Sequence, residues 1–207
     1  MVQFNIEKTA FFVYDLAWRL VIPFLKLNRR LAEGYPQRRF SQPTPAPADL
    51  WIQAASVGEA FLAWQLLKQL TTEKPLRVLI TTNTRQGMDI LEKAIREISS
   101  VTPGISAATA YFPFDKPGIM KRAVGHIRPR VMVLLESEMW PAHLAALKAS
   151  GCHIVIVNGR MTAKSLKGYL HWPSFWYRLR PDKILAISDK DARHFGRLFG
   201  QQRVEVM

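Results

Sequence analysis

The chain has 207 residues, 48% of them apolar, enough to bury a sizeable core in one domain with an appendage. Its 29 basic residues against 16 acidic ones give a formal charge of +13, which favours an anionic partner such as nucleic acid, phospholipid headgroups or a phosphorylated substrate. The single cysteine, Cys152, excludes an intrachain disulfide and fits a reduced compartment, and the histidines lack metal-ligand spacing, so neither a disulfide scaffold nor a metal site is expected.

The first element is "TAFFVYDLAWRLVIPFLKLNRR", residues 9 to 30. Asp15 and Arg19 interrupt its apolar runs, Pro23 kinks or ends a helix, and the pieces fall short of the roughly 20 apolar residues of a spanning helix. No signal-peptide layout of basic, apolar and small-residue regions is visible. What remains is an amphipathic helix followed by Lys26, Arg29 and Arg30, suited either to the interface of an anionic leaflet or to packing on the domain or a partner. Residues 1–34 are therefore expected to be a membrane-interface helix region. Residues 35–49, proline-rich and without periodicity, are expected to be a connection.

From residue 50 onward, short β-branched runs alternate with segments of helical period. Strands are predicted at "LWIQAA", 77–82, 108–114, 130–136, 153–158 and 183–188, and in the closing "RVEVM". Helices are predicted at 59–70, 86–99, 117–127, 140–150 and 189–199. This βαβα series predicts a doubly wound parallel α/β sheet, a Rossmann-like domain over 50–207. In such sheets ligands sit beyond the carboxyl ends of the strands, so the residues that follow each strand carry the functional question. The chain stops right after its last predicted strand, which raises the expectation that more protein normally follows.

Several of those strand ends carry possible chemistry. "AASVGEAF" (54–61) has strand, turn and helix but one glycine and no lysine, so it does not make a dinucleotide or P-loop fingerprint. Glu59 falls in the first helical turn, where the dipole is expected to lower its pKa; it is either a helix-end charge or a proton acceptor for a substrate hydroxyl. "LLESEMWPAHL" (134–144) places Glu136 and Glu138, by strand alternation, on one side, where mutual repulsion raises the pKa of one of them, or Glu138 caps a helix. Trp140 is either a flat surface for a sugar or acyl chain, or core. In "ITTNTRQGMDIL" (80–91), Thr82, Thr84 and Arg85 beside free backbone N–H groups suit a phosphate or a sugar, with ordinary capping as the other reading. Arg160, Lys164 and Lys167 form a basic cluster after the fifth strand, either an anion clamp or a solvated face. The aromatic stretch 169–180 is lipid-facing, a stacking surface, or core plus rim. No G-x-S-x-G nucleophile elbow occurs.

Taken in order, "WIQAASVGEA", "ITTNTRQG", "YFPFD", "LLESEMWP" and "NGRMTAKSLKGY" resemble the amino-terminal half of the Kdo transferases, the 3-deoxy-D-manno-octulosonic acid transferases of lipopolysaccharide assembly. The likeness runs from about residue 12 to the end. It implies the first half of a GT-B glycosyltransferase whose second, absent domain binds the donor CMP-Kdo. It further implies transfer of Kdo to a lipid A precursor with inversion, without metal or cofactor, at the cytoplasmic face of the bacterial inner membrane, by a peripheral, monotopic protein. Glu59 then carries the general-base role and Glu138 assists. The acceptor falls to Ser56, Gly58, Thr82, Asn83, Thr84, Gly87, Glu136, Trp140, Asn158 and Arg160. Without the donor domain, the 207 residues are expected to bind acceptor but not to catalyse. Gly159 and Thr162 stand where alanine and serine are commoner in the family, and Tyr35 and Pro36 where a more basic pattern is usual. Composition alone also allows a basic α/β module that binds nucleic acid or a protein partner; an anionic glycolipid accounts better for the aromatic helix, so no nucleic acid is expected.

Overall fold

The β-branched runs of the sequence become the strands of a single sheet. The structure, a computed structural model, describes residues 2–41, 44–102 and 104–207, and the side chains of all of these but 2–8, 100 and 101. In chain order the helices are α1 (Val2–Leu25), α2 (Arg29–Ala32), α3 (Tyr35–Arg38), α4 (Val57–Gln69), α5 (Arg85–Val101), α6 (Pro117–Ile127), α7 (Pro141–Ala149), α8 (Ala163–Tyr169), α9 (Pro173–Arg178) and α10 (Asp189–Phe199). The strands are β1 (Leu50–Ala54), β2 (Leu76–Thr82), β3 (Ile105–Tyr111), β4 (Val131–Leu135), β5 (His153–Gly159), β6 (Lys183–Ala186) and β7 (Val204–Val206). They lie in the order β3-β2-β1-β4-β5-β6-β7, all parallel. This is the doubly wound, Rossmann-like α/β fold.

Strand alternation divides the core into two layers. Ile52, Ile80, Val133 and Leu135 face Ala63 and Leu67 of α4 and Leu91 and Ile98 of α5. Their neighbours Trp51, Leu79, Met132 and Leu134 face Met120 of α6, Leu144 of α7 and, further along, Phe195 of α10. Both faces of the sheet are covered, so the strands read as continuous apolar runs rather than alternating ones.

One strand differs from the sequence expectation. β3 spans Ile105–Tyr111 rather than 108–114. Its first half is rich in Ala and Ser, which carry little strand signal, and it is the edge strand, paired on one side to β2. The pairing ends when Phe112 N–H donates to Thr82 O at 2.9 Å; Pro113 has no N–H to continue, and Phe114 N–H turns to Arg38 O at 2.8 Å.

The proline-rich connection opens with a packed segment. Within it, Gln42 and Pro43 lie outside the described residues, as does Met1 at the start of the helix region. Gly34 has φ 64°, and a Cβ there would fall 1.8 Å from the Tyr111 ring, so the turn into α3 requires glycine. Arg38, only 2% exposed, lies 4.6 Å over the Tyr111 ring and donates from Nε to Glu33 O at 3.0 Å and from Nη2 to Asn83 O at 2.8 Å. Burial lowers its pKa to about 10, and it stays charged at neutral pH. The guanidinium thus pins the connection to the ends of β2 and β3.

α1 has two apolar faces. Phe11, Tyr14, Trp18, Ile22 and Leu25 pack inward, Trp18 against Phe114 at 5.8 Å between ring centroids and Phe11 against Phe175 at 5.7 Å. Phe12, Val13, Leu16, Leu20 and Phe24 point outward, and Leu27, in the turn past the helix, is 84% exposed. At about 100° per residue the five helical ones form one stripe. Pro23 is accommodated two residues before the helix ends, and Tyr35 Oη donates to Ile22 O at 3.0 Å, satisfying a carbonyl near that end. Among the described residues no helix is long and apolar enough to cross a membrane.

Candidate functional site

The strand order reverses between β1 and β4: from β1 the chain winds outward through β2 to β3, and from β4 the other way through β5, β6 and β7. In open α/β sheets the loops beyond two such strands diverge, and the crevice between them is where ligands bind. The "SVGE" turn after β1 and the "ESEMWP" turn after β4 meet there, with the end of β5 alongside.

Glu59 is built in from its own helix end. Ser56 is the N-cap of α4 and its Oγ accepts from Glu59 N–H at 3.3 Å, while Glu59 Oε2 accepts from Ala55 N–H at 2.8 Å. This is a reciprocal arrangement of the capping-box kind, displaced by one residue. It leaves Glu59 only 5% exposed. Burial raises its pKa to about 7; the Ala55 N–H and Ser56 oppose the rise, and the charges of Glu138 and Glu136 add to it. The helix-end dipole was expected to lower that pKa, but desolvation of the carboxylate outweighs it. At Gly58 an added Cβ would meet nothing closer than Ser56 Oγ at 3.9 Å, so the chain's own packing leaves room on that side of the turn.

The second acidic turn differs from the strand reading. β4 stops at Leu135, so a turn rather than strand alternation sets the relation of Glu136 to Glu138. Glu136 takes φ 59°, donating its N–H to Val157 O at 3.0 Å, and Asn158 on the neighbouring strand takes φ 57°. Two non-glycine residues in the left-handed region side by side are a local strain of the kind concentrated at functional sites. Glu136 Oε1 lies 3.7 Å from Arg160 Nε. Glu138 Oε2 accepts from Trp140 Nε1 at 2.8 Å, so it orients the indole and does not cap α7. Its pKa is raised, first by burial and then by Glu136, with the Trp140 hydrogen bond opposing. Trp140 is half-buried and packs on the core.

Ser56, Gly58, Glu59, Glu136, Glu138, Trp140, Asn158 and Arg160 therefore belong to three adjacent strand ends. Thr82 ends β2 and Asn83, Thr84 and Gly87 follow it, on the far side of β1 from β4. Thr84 caps α5, accepting from Gly87 N–H at 3.0 Å. Thr82 is fully buried beneath Gly87, where a Cβ would fall 2.4 Å from Thr82 Oγ1. Asn83 offers its side to a cavity of about 250 Å³ between α1 and the domain, shared with Trp18, Phe114 and Trp140.

Asp115, whose motif "YFPFD" carries no assigned role in the sequence, organises the wall of the crevice. It is 2% exposed and its Oδ2 accepts from Tyr14 Oη at 2.9 Å and from Ala142 N–H at 3.0 Å; its Oδ1 accepts from His143 N–H at 2.7 Å. The carboxyl thus caps α7, which has no side-chain cap of its own, and holds α1 to it. Burial pushes its pKa to about 7 against those hydrogen bonds, and pushes Tyr14 up as well. No local pattern signals a cap supplied from another loop. Among the described residues no group of three or more His, Cys, Asp and Glu side chains forms a metal cluster. What the crevice offers is a carboxyl poised near neutrality, two further carboxyls, an indole and a guanidinium: a setting for hydroxyl binding and proton transfer.

The family profile described as 3-deoxy-D-manno-octulosonic-acid transferase (kdotransferase) matches residues 28–207. The chain is 32% identical over 194 residues to the 3-deoxy-D-manno-octulosonic acid transferase of Bordetella pertussis, covering 86% of this chain and 44% of that protein. It is 30% identical to the Haemophilus influenzae enzyme of the same name, covering 79% and 37%. A probable mitochondrial 3-deoxy-D-manno-octulosonic acid transferase of Arabidopsis thaliana is 27% identical, covering 77% and 37%. The chain thus spans less than half the length of these relatives. With the profile running through both acidic turns and the relatives covering most of the sequence, the chain belongs to the Kdo transferase family.

Proposed function

We propose that the 207 residues form the acceptor-binding half of a GT-B glycosyltransferase that passes Kdo from CMP-Kdo to a lipid A precursor. The CMP-Kdo site is placed on protein outside these residues. The acceptor hydroxyl lies in the crevice, its oxygen attacks the anomeric carbon of Kdo from the face opposite the leaving group, and CMP departs with the electrons of the broken C–O bond. The configuration inverts. Glu59 accepts the hydroxyl proton. The observation that carries this role is its burial at the switch point with a pKa raised to about 7, since a base poised near working pH combines ionisation with proton affinity.

Glu138, fixed by Trp140, assists at the acceptor hydroxyl, and the indole offers a platform for its sugar ring. Arg160, 3.7 Å from Glu136 and exposed, is free to turn toward an acceptor phosphate or sugar oxygen. The family resemblance, rather than any feature of the crevice, makes the reaction metal- and cofactor-independent in this proposal. The outward stripe of α1 seats the protein on the cytoplasmic leaflet of the inner membrane as a peripheral, monotopic enzyme.

The test is Glu59→Gln in a protein that also supplies the donor domain. Transfer is expected to fall at least about a hundredfold, the ordinary contribution of a general base, with acceptor affinity within a factor of a few of wild type. Near-normal transfer would remove Glu59 from the chemistry. A polypeptide of residues 1–207 alone should bind acceptor and transfer nothing.

A further inference from the structure

A cavity of about 470 Å³ lies between the carboxyl half of α1, α3 and the start of α6, apart from the crevice. Five cationic side chains line it: Arg19, Lys26, Arg39, Lys116 and Arg122. One carboxylate stands nearby, Asp15, and it pairs with Lys116 at 2.6 Å and Arg19 at 2.7 Å. The other three find no carboxylate among the described residues. Lys26 and Arg39 lie 5.0 Å and 5.8 Å from the centroid of the buried Tyr35 ring, and Arg122 Nη2 donates to Arg39 O at 3.2 Å. The first turn of α6, through Gly118, lies at the same wall, and no side chain caps it. Like charges gathered in a concave site repel one another unless an anion joins them, and arginine forks beside an uncapped helix start match phosphate oxygens.

The surroundings indicate where that phosphate comes from. Ile22, Pro23 and Ile119 give the cavity an apolar side. On the helix, Pro23 lies one turn from Leu20 of the outward stripe, at i−3, with Leu27 exposed in the turn that follows. Arg19 and Lys26 flank that stripe. We propose that this cavity binds a phosphate group carried by an anionic lipid of the surface on which α1 lies, holding the protein by one discrete headgroup as well as by its apolar stripe. The proposal rests on the membrane reading of α1 above.

The experiment uses the 207-residue chain, sedimented at constant ionic strength with vesicles of phosphatidylcholine alone or of phosphatidylcholine partly replaced by phosphatidylglycerol. Two charge-matched pairs are compared: Arg39→Gln with Arg122→Gln in the cavity, and Arg29→Gln with Arg30→Gln on α2 outside it. The cavity pair is expected to weaken binding to the anionic vesicles by a further factor of about ten relative to the α2 pair, with binding to neutral vesicles unchanged in both. Because Arg122 also supports the Arg39 backbone, thermal melts check folding, and Lys26→Gln, an exposed change, provides a milder arm with a loss of about threefold. Equal losses in the two pairs mean diffuse attraction to a basic surface and overturn the cavity. Inorganic phosphate that stabilises wild type but not the cavity pair, with vesicle binding alike in both pairs, gives the cavity to a dissolved ion and overturns the lipid assignment. A chain that ignores both kinds of vesicle fails the membrane reading itself, whereas one that binds both kinds equally well overturns only the phosphate site.

Discussion

Two glycines of the family-like motifs separate under inspection of what surrounds them. At Gly87 a Cβ would stand 2.4 Å from Thr82 Oγ1 and 2.9 Å from Thr84 Oγ1, so Gly87→Ala is expected to cost about 1–3 kcal/mol, read as a lower urea midpoint. At Gly58 the space is open, so Gly58→Ala should leave the midpoint within about 0.5 kcal/mol and instead weaken acceptor binding, measured by titration with the lipid A precursor. If Gly58→Ala binds acceptor normally, the turn does not lie against it. The sequence places Gly58 in the turn before one helix and Gly87 in the first turn of another; only the third dimension tells the one enforced by packing from the one left open. The same limit applies to Glu59. Its place at a helix end is readable from S-V-G-E, but the direction of its pKa is not, because burial in the folded chain raises it and the charges of Glu138 and Glu136, some 80 residues further along, add to the rise.

At the scale of elements, the alternation of β-branched runs and amphipathic segments is enough to lay out the sheet, because the central strands are largely apolar on both faces and the long helices that cover them, such as α4 to α7 and α10, bury an apolar side. What escaped was structure owed to tertiary partners: the Ala-rich start of β3, the helical turn that Arg38 pins over Tyr111, and the cap of α7. The last is open to test. Asp115→Asn leaves one acceptor oxygen for the Tyr14, Ala142 and His143 donors and turns an N–H₂ group toward one of them, so a loss of about 2 kcal/mol is expected. Asp115 joins two elements, so hydrogen exchange should rise both at the start of α7 and along α1. A change confined to α7 would show that the Tyr14 hydrogen bond holds nothing.

For the molecule as a whole, buried titratable groups tie stability to pH. Between about pH 4.5 and 6.5 the folded chain keeps protons on Glu59 and Asp115, whose pKa values are raised to about 7, while the unfolded chain has released both. Over the same range unfolded His143 binds a proton that the buried imidazole, lowered to about 3, refuses. The folded state therefore holds two protons against one, and stability falls as pH rises, by ~1.4 kcal/mol per unit, with Glu138 adding in the same direction. Glu59→Gln should reduce that slope by about one proton; urea midpoints across the window read it directly, and an unchanged slope would place the Glu59 pKa near its ordinary value. Transfer should run the other way, rising through about pH 7 as Glu59 ionises.

The carboxyl of Asp115 has a geometric consequence beyond its energy. It grips Tyr14 on α1 with the same oxygen that receives the first N–H of α7, so α1 and the helix that opens onto the crevice form one bracket. On the proposed seating of α1 in a membrane surface, its depth sets the altitude of the crevice above the acyl chains. So seated, the protein is expected to act as a gauge, admitting a sugar hydroxyl that stands at that height on its lipid and passing over one set nearer to, or farther from, the membrane.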